Sequence, residues 1–525
     1  MAQLEIRNLT FKYPGAGKPV LDNLSLSVRA GEFVVLTGRT GSGKTTLLKI
    51  IKKDIAPYGE LSGEILYAGI PYREIDGRMS AGEIGYVFQN PENQIVSDHV
   101  WSELAFGLEN LGLPDDLIRR RVGETANFFG INNWFFRKTA ELSSGETQLL
   151  CLASVIAMRP RLLLLDEPMA RLDPTARERF LSFLIKINQE LGITVLLVEH
   201  QLEDVLAAAD RVMVLESGTI AASAAPRAAA VAFSEDWVGT LPAAMRFFRA
   251  TGGVGDCPIS VKEGRDYLRR HFRNDIFKLP PVDLAEKEEV IAAKDLWFRY
   301  RRRDEDVIRG LRFSIKKGEI VAVLGGNGSG KTTLLKIIAG VYQPYRGKVA
   351  GKAKTALLPQ NPEDLFLGPT VADDLKETEE SRKWIRELSA EQFLSRNFYD
   401  LSGGEKQKAG LLRVLGTAAD VLLLDEPTKG LDEKEKRDIA GILKSLRNKG
   451  VTSVVVTHDA EFAAEVSDRC ALLFAGEIVA AGAPREFFSG NCFYTTASAR
   501  IAQDYYQGVV TVGELVMLAR ENGAK

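Results

Sequence analysis

A chain of 525 residues is too long for one hydrophobic core and predicts at least two domains. Hydrophobic residues make up 45% and charged residues 26%, the balance of a globular protein rather than a disordered or fibrous one. A formal net charge of −2 argues against a nucleic-acid binder driven by phosphate electrostatics. The opening MAQLEIRNLTFKYPG has no signal-peptide core, and no apolar run approaches the roughly 18 residues that span a bilayer. The expectation is a cytosolic chain that reaches a membrane only through partners. Cys151, Cys257, Cys470 and Cys492 form no CxxC pair, so they read as small buried side chains rather than metal ligands.

In chain order, residues 4–11 alternate apolar and polar and predict a half-exposed antiparallel strand. A turn follows at Pro14-Gly15, then a second alternating run at 24–28. Residues 32–37 (EFVVLT) predict a short buried strand. It feeds residues 38–46 (GRTGSGKTT), which fit G-x-x-x-x-G-K-[ST] at every fixed position, and residues 45–52 predict a helix. That context suits phosphate chemistry. The turn built on Gly38, Gly41, Ser42 and Gly43 lets backbone N–H groups face a phosphate, and the helix N-terminus adds partial positive charge. Lys44 supplies a full charge, and Thr45, followed by Thr46, a hydroxyl for Mg²⁺. Strands are predicted at 63–67 and 84–88, helical pattern over 96–141, and continuous aliphatic strands at 162–165 and 193–198. Strands alternating with helices predict an α/β sheet with an antiparallel β portion and a helical portion.

From 221 to 285 the pattern loosens into a domain tail and linker, and a second unit opens near Glu288. Its residues 325–333 (GGNGSGKTT) repeat the phosphate loop, with Gly325, Gly328, Ser329, Gly330, Lys331, Thr332 and Thr333 in the same roles. Lys44 and Lys331 are 287 residues apart, as are Tyr13 and Tyr300. Gln89 and Gln360, each followed by Asn-Pro-Glu, are 271 apart. The segments beginning Leu142-Ser143-Ser144-Gly145-Glu146 and Leu401-Ser402-Gly403-Gly404-Glu405 are 259 apart, as are Asp166-Glu167-Pro168 and Asp425-Glu426-Pro427. His200 and His458 are 258 apart. This is a tandem duplication of a domain-sized unit, with shortening inside the second copy. The predicted boundaries are 1–225 for the first domain, 226–286 for its tail and linker, 287–485 for the second domain and 486–525 for a C-terminal tail. Pro258-Ile259-Ser260-Val261 and Val509-Val510-Thr511-Val512, each followed by Glu two residues on, predict that the tail was duplicated too. The basic run at 299–303 is balanced by Asp304, Glu305 and Asp306 and reads as a solvated turn.

Asp166 and Asp425 end aliphatic strands, where α/β folds bind ligands, and are expected to hold Mg²⁺. Glu167 and Glu426 are placed as general bases for water. Taken singly, such an acidic pair is also a solvated loop or a helix cap; its repetition after a phosphate loop favours chemistry. Gln89 and Gln360 are neutral groups for Mg²⁺ or water, and His200 and His458 reach a terminal phosphate. Ser143 and Ser402 read as helix caps whose exposed backbone N–H groups, with Gly145 and Gly404, make a second anion site; a plain cap fits each equally well.

These ordered motifs resemble the ATP-binding cassette (ABC) ATPases over both halves. The resemblance implies two tandem P-loop NTPase domains that bind ATP with Mg²⁺ and hydrolyse it. Residues 38–46 and 325–333 look like Walker A, the Gln89 and Gln360 segments like Q-loops, and the serine caps like the ABC signature. Asp166/Glu167 and Asp425/Glu426 look like Walker B with its catalytic glutamate. Asp173 and Asp432 look like D-loop aspartates, and His200 and His458 like switch histidines. Tyr13 and Tyr300 look like the aromatic that stacks on adenine. The Mg²⁺ set implied is Thr45, Gln89 and Asp166 in one half and Thr332, Gln360 and Asp425 in the other. The family fold implies composite sites, Lys44 opposite Ser402 and Lys331 opposite Ser143.

The stretches Gln89-Asn90-Pro91-Glu92-Asn93-Gln94 and Gln360-Asn361-Pro362-Glu363-Asp364 resemble the Q-loop of energy-coupling factor (ECF) importers, as does the run at 100–107. That implies a peripheral protein at the cytoplasmic face of the membrane, partnered by a transmembrane coupling subunit and a substrate-binding membrane subunit, and serving uptake of a vitamin, vitamin precursor or metal ion. The alternatives are a soluble tandem ABC ATPase on ribosomes or nucleic acid, or the ATPase of a sugar importer. The linker is neither highly charged nor cysteine-rich, and the second phosphate loop is intact, which disfavour both. Ser144 in place of the first signature glycine, the D-loop wording at 169–173 and the shortened second copy depart from the family pattern.

Overall fold

The computed structural model describes residues 2–280, 287–375, 378–492 and 494–525. Residues 281–286 of the predicted linker, residue 493 of the predicted tail and residue 1 lie outside the described residues. The chain forms two compact units, Met1–Pro242 and Ala243–Lys525. Residues 226–242 therefore belong with the first unit, and the stretch from 243 to 280 with the second.

In the first unit β1 (Ala2–Lys12), β2 (Leu21–Arg29), β4 (Glu60–Tyr67) and β5 (Ile70–Pro71) make an antiparallel sheet of order β2-β1-β4-β5. A second sheet takes β3 (Phe33–Gly38), β6 (Ile84–Val87), β7 (Leu162–Asp166), β8 (Thr194–Val198), β9 (Arg211–Glu216) and β10 (Thr219–Ala224) in the order β10-β9-β3-β8-β7-β6. All its pairs are parallel except β9 with β10. Every residue of β3, β7 and β8 is buried, which is why these strands read as unbroken aliphatic runs rather than alternating ones. One core joins the two sheets through Leu4, Phe11, Val34, Leu36, Leu47 and Leu164. Helices Val100–Asn110 and Asp115–Phe128 lie in the stretch that carried the helical pattern, and Ser144–Ala157 follows it.

The second unit repeats this plan. Here β11 (Glu289–Phe298), β12 (Ile308–Lys316) and β14 (Arg346–Ala350) pair in the order β12-β11-β14. The larger sheet takes β13 (Ile320–Leu324), β15 (Thr355–Leu358), β16 (Val421–Asp425), β17 (Thr452–Val456), β18 (Arg469–Phe474) and β19 (Glu477–Gly482) in the order β15-β16-β17-β13-β18-β19. Read from the other edge, this is the strand order of the first unit.

The alternation predicted over 4–11 is broken by a bulge. Leu4 and Ile6 are buried, then Leu9 and Phe11, with Asn8 in the left-handed region at φ 51° between them. The second unit repeats the phase shift with Ile291 and Ala293, then Leu296 and Phe298, about Asp295 at φ 52°. Each bulge backs onto a glycine of the neighbouring strand. A Cβ on Gly63 would sit 2.4 Å from the Asn8 carbonyl oxygen, and one on Gly347 2.2 Å from that of Asp295.

The predicted duplication of the tail appears as structure. Helices Ala243–Ala250 and Val261–His271 pack against Ala497–Ala502 and Val512–Asn522. Ser260 caps the second of these helices, accepting from Glu263 N at 3.3 Å, and Thr511 caps the fourth, accepting from Glu514 N at 3.2 Å. Each Glu returns a bond to the chain just before its cap, Ile259 N at 2.9 Å and Val510 N at 2.9 Å. Among the described residues, no helix is long and apolar enough to cross a membrane.

Candidate functional site

The phosphate loop of the first unit follows β3 and opens the helix Lys44–Ile51. The loop starts where backbones crowd: a Cβ on Gly38 would lie 2.3 Å from Leu215 O, and the same holds for Gly325 against Leu473 O, also 2.3 Å. Lys44 is buried and its Nζ donates to Gly38 O and Arg39 O, both at 2.9 Å. Lys331 makes the same two bonds, to Gly325 O and Gly326 O, both at 2.9 Å. The buried hydroxyls of Ser42 and Ser329 have no hydrogen-bond partner among the described residues. Buried polar groups without partners are rare, and two at one loop position fit an anionic ligand that accepts from them.

Parallel pairing brings the acidic strand ends to the loop. Asp166 sits opposite Val198 at the end of β7, and Asp425 opposite Val456 at the end of β16. Thr45 Oγ1 donates to Asp166 Oδ1 at 3.1 Å, and Thr332 Oγ1 to Asp425 Oδ2 at 2.6 Å. Burial raises each aspartate to about 6, the neighbouring glutamate pushing the same way. A buried carboxyl beside a hydroxyl is a hard-oxygen pair that gains from a divalent cation, so the donor set fits Mg²⁺. Tyr86 OH adds a bond to Asp166 Oδ2 at 3.3 Å, and burial with that carboxylate keeps the phenol protonated. The sequence reading missed Tyr86; its counterpart, two residues before the Phe-Gln and Pro-Gln positions, is Leu358's neighbour Leu357, so repetition carried no signal.

Glu167 and Glu426 follow with φ of 45° and 53°, a region that costs a bulky residue about 1–3 kcal/mol. Backbone bonds from Glu167 N to Val198 O at 3.1 Å and from Glu426 N to Val456 O at 2.9 Å hold them there. His200 Nε2 lies 2.8 Å from Glu167 Oε1, and His458 Nδ1 lies 2.9 Å from Glu426 Oε1. Burial works to raise both glutamates, but His200, Lys44 and Gln89 outweigh it at one and His458, Lys331 and Lys429 at the other. Both carboxyls therefore stay below their usual range. Gln89 Nε2 donates to Glu167 Oε2 at 2.8 Å. Gln360 is exposed, and no such bond to Glu426 occurs among the described residues.

Tyr13 OH lies 3.1 Å from Thr46 Oγ1, and Tyr300 OH 2.8 Å from Thr333 Oγ1, so each ring is tied to its own loop. Ser143 and Ser402 are N-caps in full capping boxes, with Ser143 N donating to Glu146 Oε2 at 2.8 Å and Ser402 N to Glu405 Oε2 at 2.8 Å. Gly145 and Gly404 lie in the first turns behind them. Among the described residues, no hydrogen bond joins Ser143 or Ser402 to the phosphate loop of its own unit. Asp173 and Asp432 also cap helices, accepting from Ala176 N and Glu435 N, both at 2.9 Å. Each unit thus gathers lysine, threonine, aspartate, glutamate, histidine and tyrosine at one sheet edge, and leaves its serine cap apart.

The ABC transporter family pattern matches residues 21–170 and 308–429. A Bacillus thuringiensis subsp. konkukian (strain 97-27) protein carried under the name ABC transporter ATP-binding protein is 40% identical over 526 residues, covering 95% of each chain. A Saccharolobus solfataricus protein of the same name is 33% identical over 523 residues, 93% of this chain and 95% of its own. Among solved structures, an archaeal ribosome recycling factor, aABCE1, in complex with the ribosomal stalk protein aP1 superposes with a TM-score of 0.60. It covers 92% of this chain and 91% of its own at 21% identity, which speaks to fold alone. With the loops, acidic strand ends and histidines assembled twice, the chain belongs to the ABC transporter family as a tandem-cassette ATPase that binds ATP with Mg²⁺ and hydrolyses it.

Proposed function

We propose that this ATPase powers a membrane importer of the ECF type, taking up a vitamin, vitamin precursor or metal ion. Its place would be peripheral, at the cytoplasmic face, bound to a coupling subunit and through it to a substrate-binding subunit. The observation that carries this reading lies just past Gln89. Val96, Trp101 and Phe106 are 63%, 45% and 43% exposed, large apolar side chains left in solvent just after the segment that resembles the ECF Q-loop. The names of the relatives, ABC transporter ATP-binding proteins, support the transport class.

In this reading Lys44 and Lys331 hold the nucleotide phosphates, with backbone N–H groups of residues 38–46 and 325–333 around them. Tyr13 and Tyr300 stack on adenine. Thr45 and Asp166, and Thr332 and Asp425, hold Mg²⁺, which neutralises phosphate charge when bound; Gln89 and Gln360 stand beside them. Glu167 and Glu426, held ionised, take a proton from the attacking water, and His200 and His458 orient the glutamates they touch. Ser143 and Gly145 complete the site of Lys331, and Ser402 and Gly404 that of Lys44, in a head-to-tail pairing of the two cassettes. Closing on ATP and reopening after hydrolysis supplies the motion passed to the membrane subunits.

The test is purification of the full chain from detergent-solubilised native membranes, with identification of bound subunits. Recovery of integral membrane subunits, lost in Trp101→Glu/Phe106→Glu while nucleotide binding persists, supports the proposal. Recovery of ribosomes without membrane protein overturns it.

A further inference from the structure

The two phosphate loops differ at the two residues after the first glycine, Arg39-Thr40 in the first unit and Gly326-Asn327 in the second. The Arg39 carbonyl is one of the two that hold Lys44 Nζ, at 2.9 Å. Its guanidinium lies 5.7 Å from the centroid of the Trp237 ring and 3.7 Å from the Asp236 carboxylate. Trp237 is itself fixed. It is 4% exposed, and its Nε1 donates to Glu216 Oε2 at 3.3 Å. Glu216 ends β9, which pairs with the strand that feeds the loop. Phe233 and Leu241, 1% and 2% exposed, anchor the chain on either side. The short helices Ala229–Ala232 and Glu235–Val238 therefore form a strap, fastened to the sheet, whose Asp236 and Trp237 reach the phosphate loop.

We infer that Arg39 is a positioning residue for the first phosphate loop, held by Trp237 and Asp236, and that this contact tightens the first loop's grip on nucleotide; Gly326 gives the second loop no side chain to be held in this way. A glycine-rich turn loses backbone freedom when it closes on phosphate, and ordering it beforehand removes part of that cost. The side chain of Arg39 need not touch the nucleotide; it holds the backbone whose carbonyl orients Lys44. The inference rests on the assignment of Lys44 and Lys331 to phosphate under Proposed function.

The experiment uses the full chain and calorimetric titration with Mg²⁺ and a non-hydrolysable ATP analogue. Lys331→Ala isolates the first loop and Lys44→Ala the second. Adding Arg39→Ala weakens the first loop by about two- to fivefold, the range for a partly exposed cation–aromatic contact, and leaves the second unchanged. Arg39→Lys keeps the cation and recovers most of the affinity, which a loss of folding would not allow. An unchanged first loop, or equal weakening at both, overturns the inference. If both lysine variants still bind two nucleotides, the lysine assignment fails instead. Arg39→Ala in the otherwise native chain then decides the strap by whether one of the two affinities falls.

Discussion

Gln89 donates its side-chain amide to Glu167 Oε2 at 2.8 Å. That bond, with His200 on the other carboxylate oxygen, fixes both lone-pair faces of the proposed base in the first unit. The second unit has only the histidine side of this arrangement among the described residues. Gln89→Ala is therefore expected to slow ATP turnover more than Gln360→Ala does, as a fall in kcat with KM little changed. Steady-state phosphate release from the two single variants measures the difference, and equal effects would remove Gln89 from its positioning role.

The stronger claim concerns the glutamates themselves. Removing a general base slows a reaction by about 10²–10⁴-fold, so Glu167→Gln combined with Glu426→Gln should bring turnover down by that factor. The amide keeps shape and hydrogen bonding, so nucleotide binding by calorimetry should persist. Normal turnover in the double variant would take both residues out of the catalytic role.

In the proposed sites proton and metal would compete at Asp166 and Asp425. Burial raises both to about 6, so near neutrality they are carboxylates, and below about pH 6 the proton occupies the oxygens a cation needs. The Mg²⁺ concentration that half-supports analogue binding should rise as pH falls from 7.5 to 5.5, more steeply than the analogue's dissociation constant measured without Mg²⁺. A flat response over that interval would show that these aspartates do not hold the ion.

Much of this was legible in the sequence because the duplication repeats each motif. The phosphate loops and the aliphatic strands behind Asp166 and Asp425 stand where spacing and composition place them, whereas the caps at Ser260 and Thr511 lie in segments that read only as a repeated tail. What escaped depends on single-copy contacts. The second unit has Leu357 in place of Tyr86 and Gly326 in place of Arg39, and a tyrosine or tryptophan at strand or helix spacing reads as core. The bulges at Asn8 and Asp295 were hidden because a one-residue insertion shifts phase while preserving an apparently alternating run; only the facing Gly63 and Gly347 hint at the close approach.

Glu199, before His200, is a second residue the sequence reading did not use. It is buried, its Oε1 accepts from Met169 N at 3.2 Å, and burial, with Arg177 opposing, raises it from the usual 4.5 to about 8. Between those values the folded unit keeps a proton that the unfolded chain has released, so rising pH lowers stability. Thr457 occupies the matching place in the second unit. Glu199→Gln removes the titration and can still accept from Met169 N. Denaturant midpoints of the first unit should fall from pH 6 to pH 9 in the natural chain and stay nearly level in the variant. Parallel slopes would place the titration elsewhere.

The second unit carries the opposite case in Lys436 and Asp459. Their side chains meet at 2.7 Å, Lys436 buried and Asp459 largely so, with Glu433 3.3 Å from the same ammonium. Burial works against the Asp459 carboxylate, but Lys436 and the Phe462 N–H outweigh it and lower the group from 3.8 to about 2. A depressed acid stabilises above its unfolded value, so its contribution, about 2 kcal/mol, is present above pH 4 and lost as pH falls toward 2. Asp459→Asn keeps the helix cap but leaves the buried ammonium with Glu433 alone, at a cost below the roughly 3–5 kcal/mol of a buried charge stripped of every partner. Adding Lys436→Met should recover part of that loss, because it removes the ammonium whose desolvation Asp459 no longer offsets. In the first unit Arg177 instead reaches Gln201 Oε1 at 2.7 Å and Asp204 at 3.6 Å, a carboxylate 50% exposed, so Arg177→Met should cost less than breaking the Lys436 pair. Denaturant unfolding with a probe in each unit separates the two effects, and equal losses would mean that burial does not set the difference.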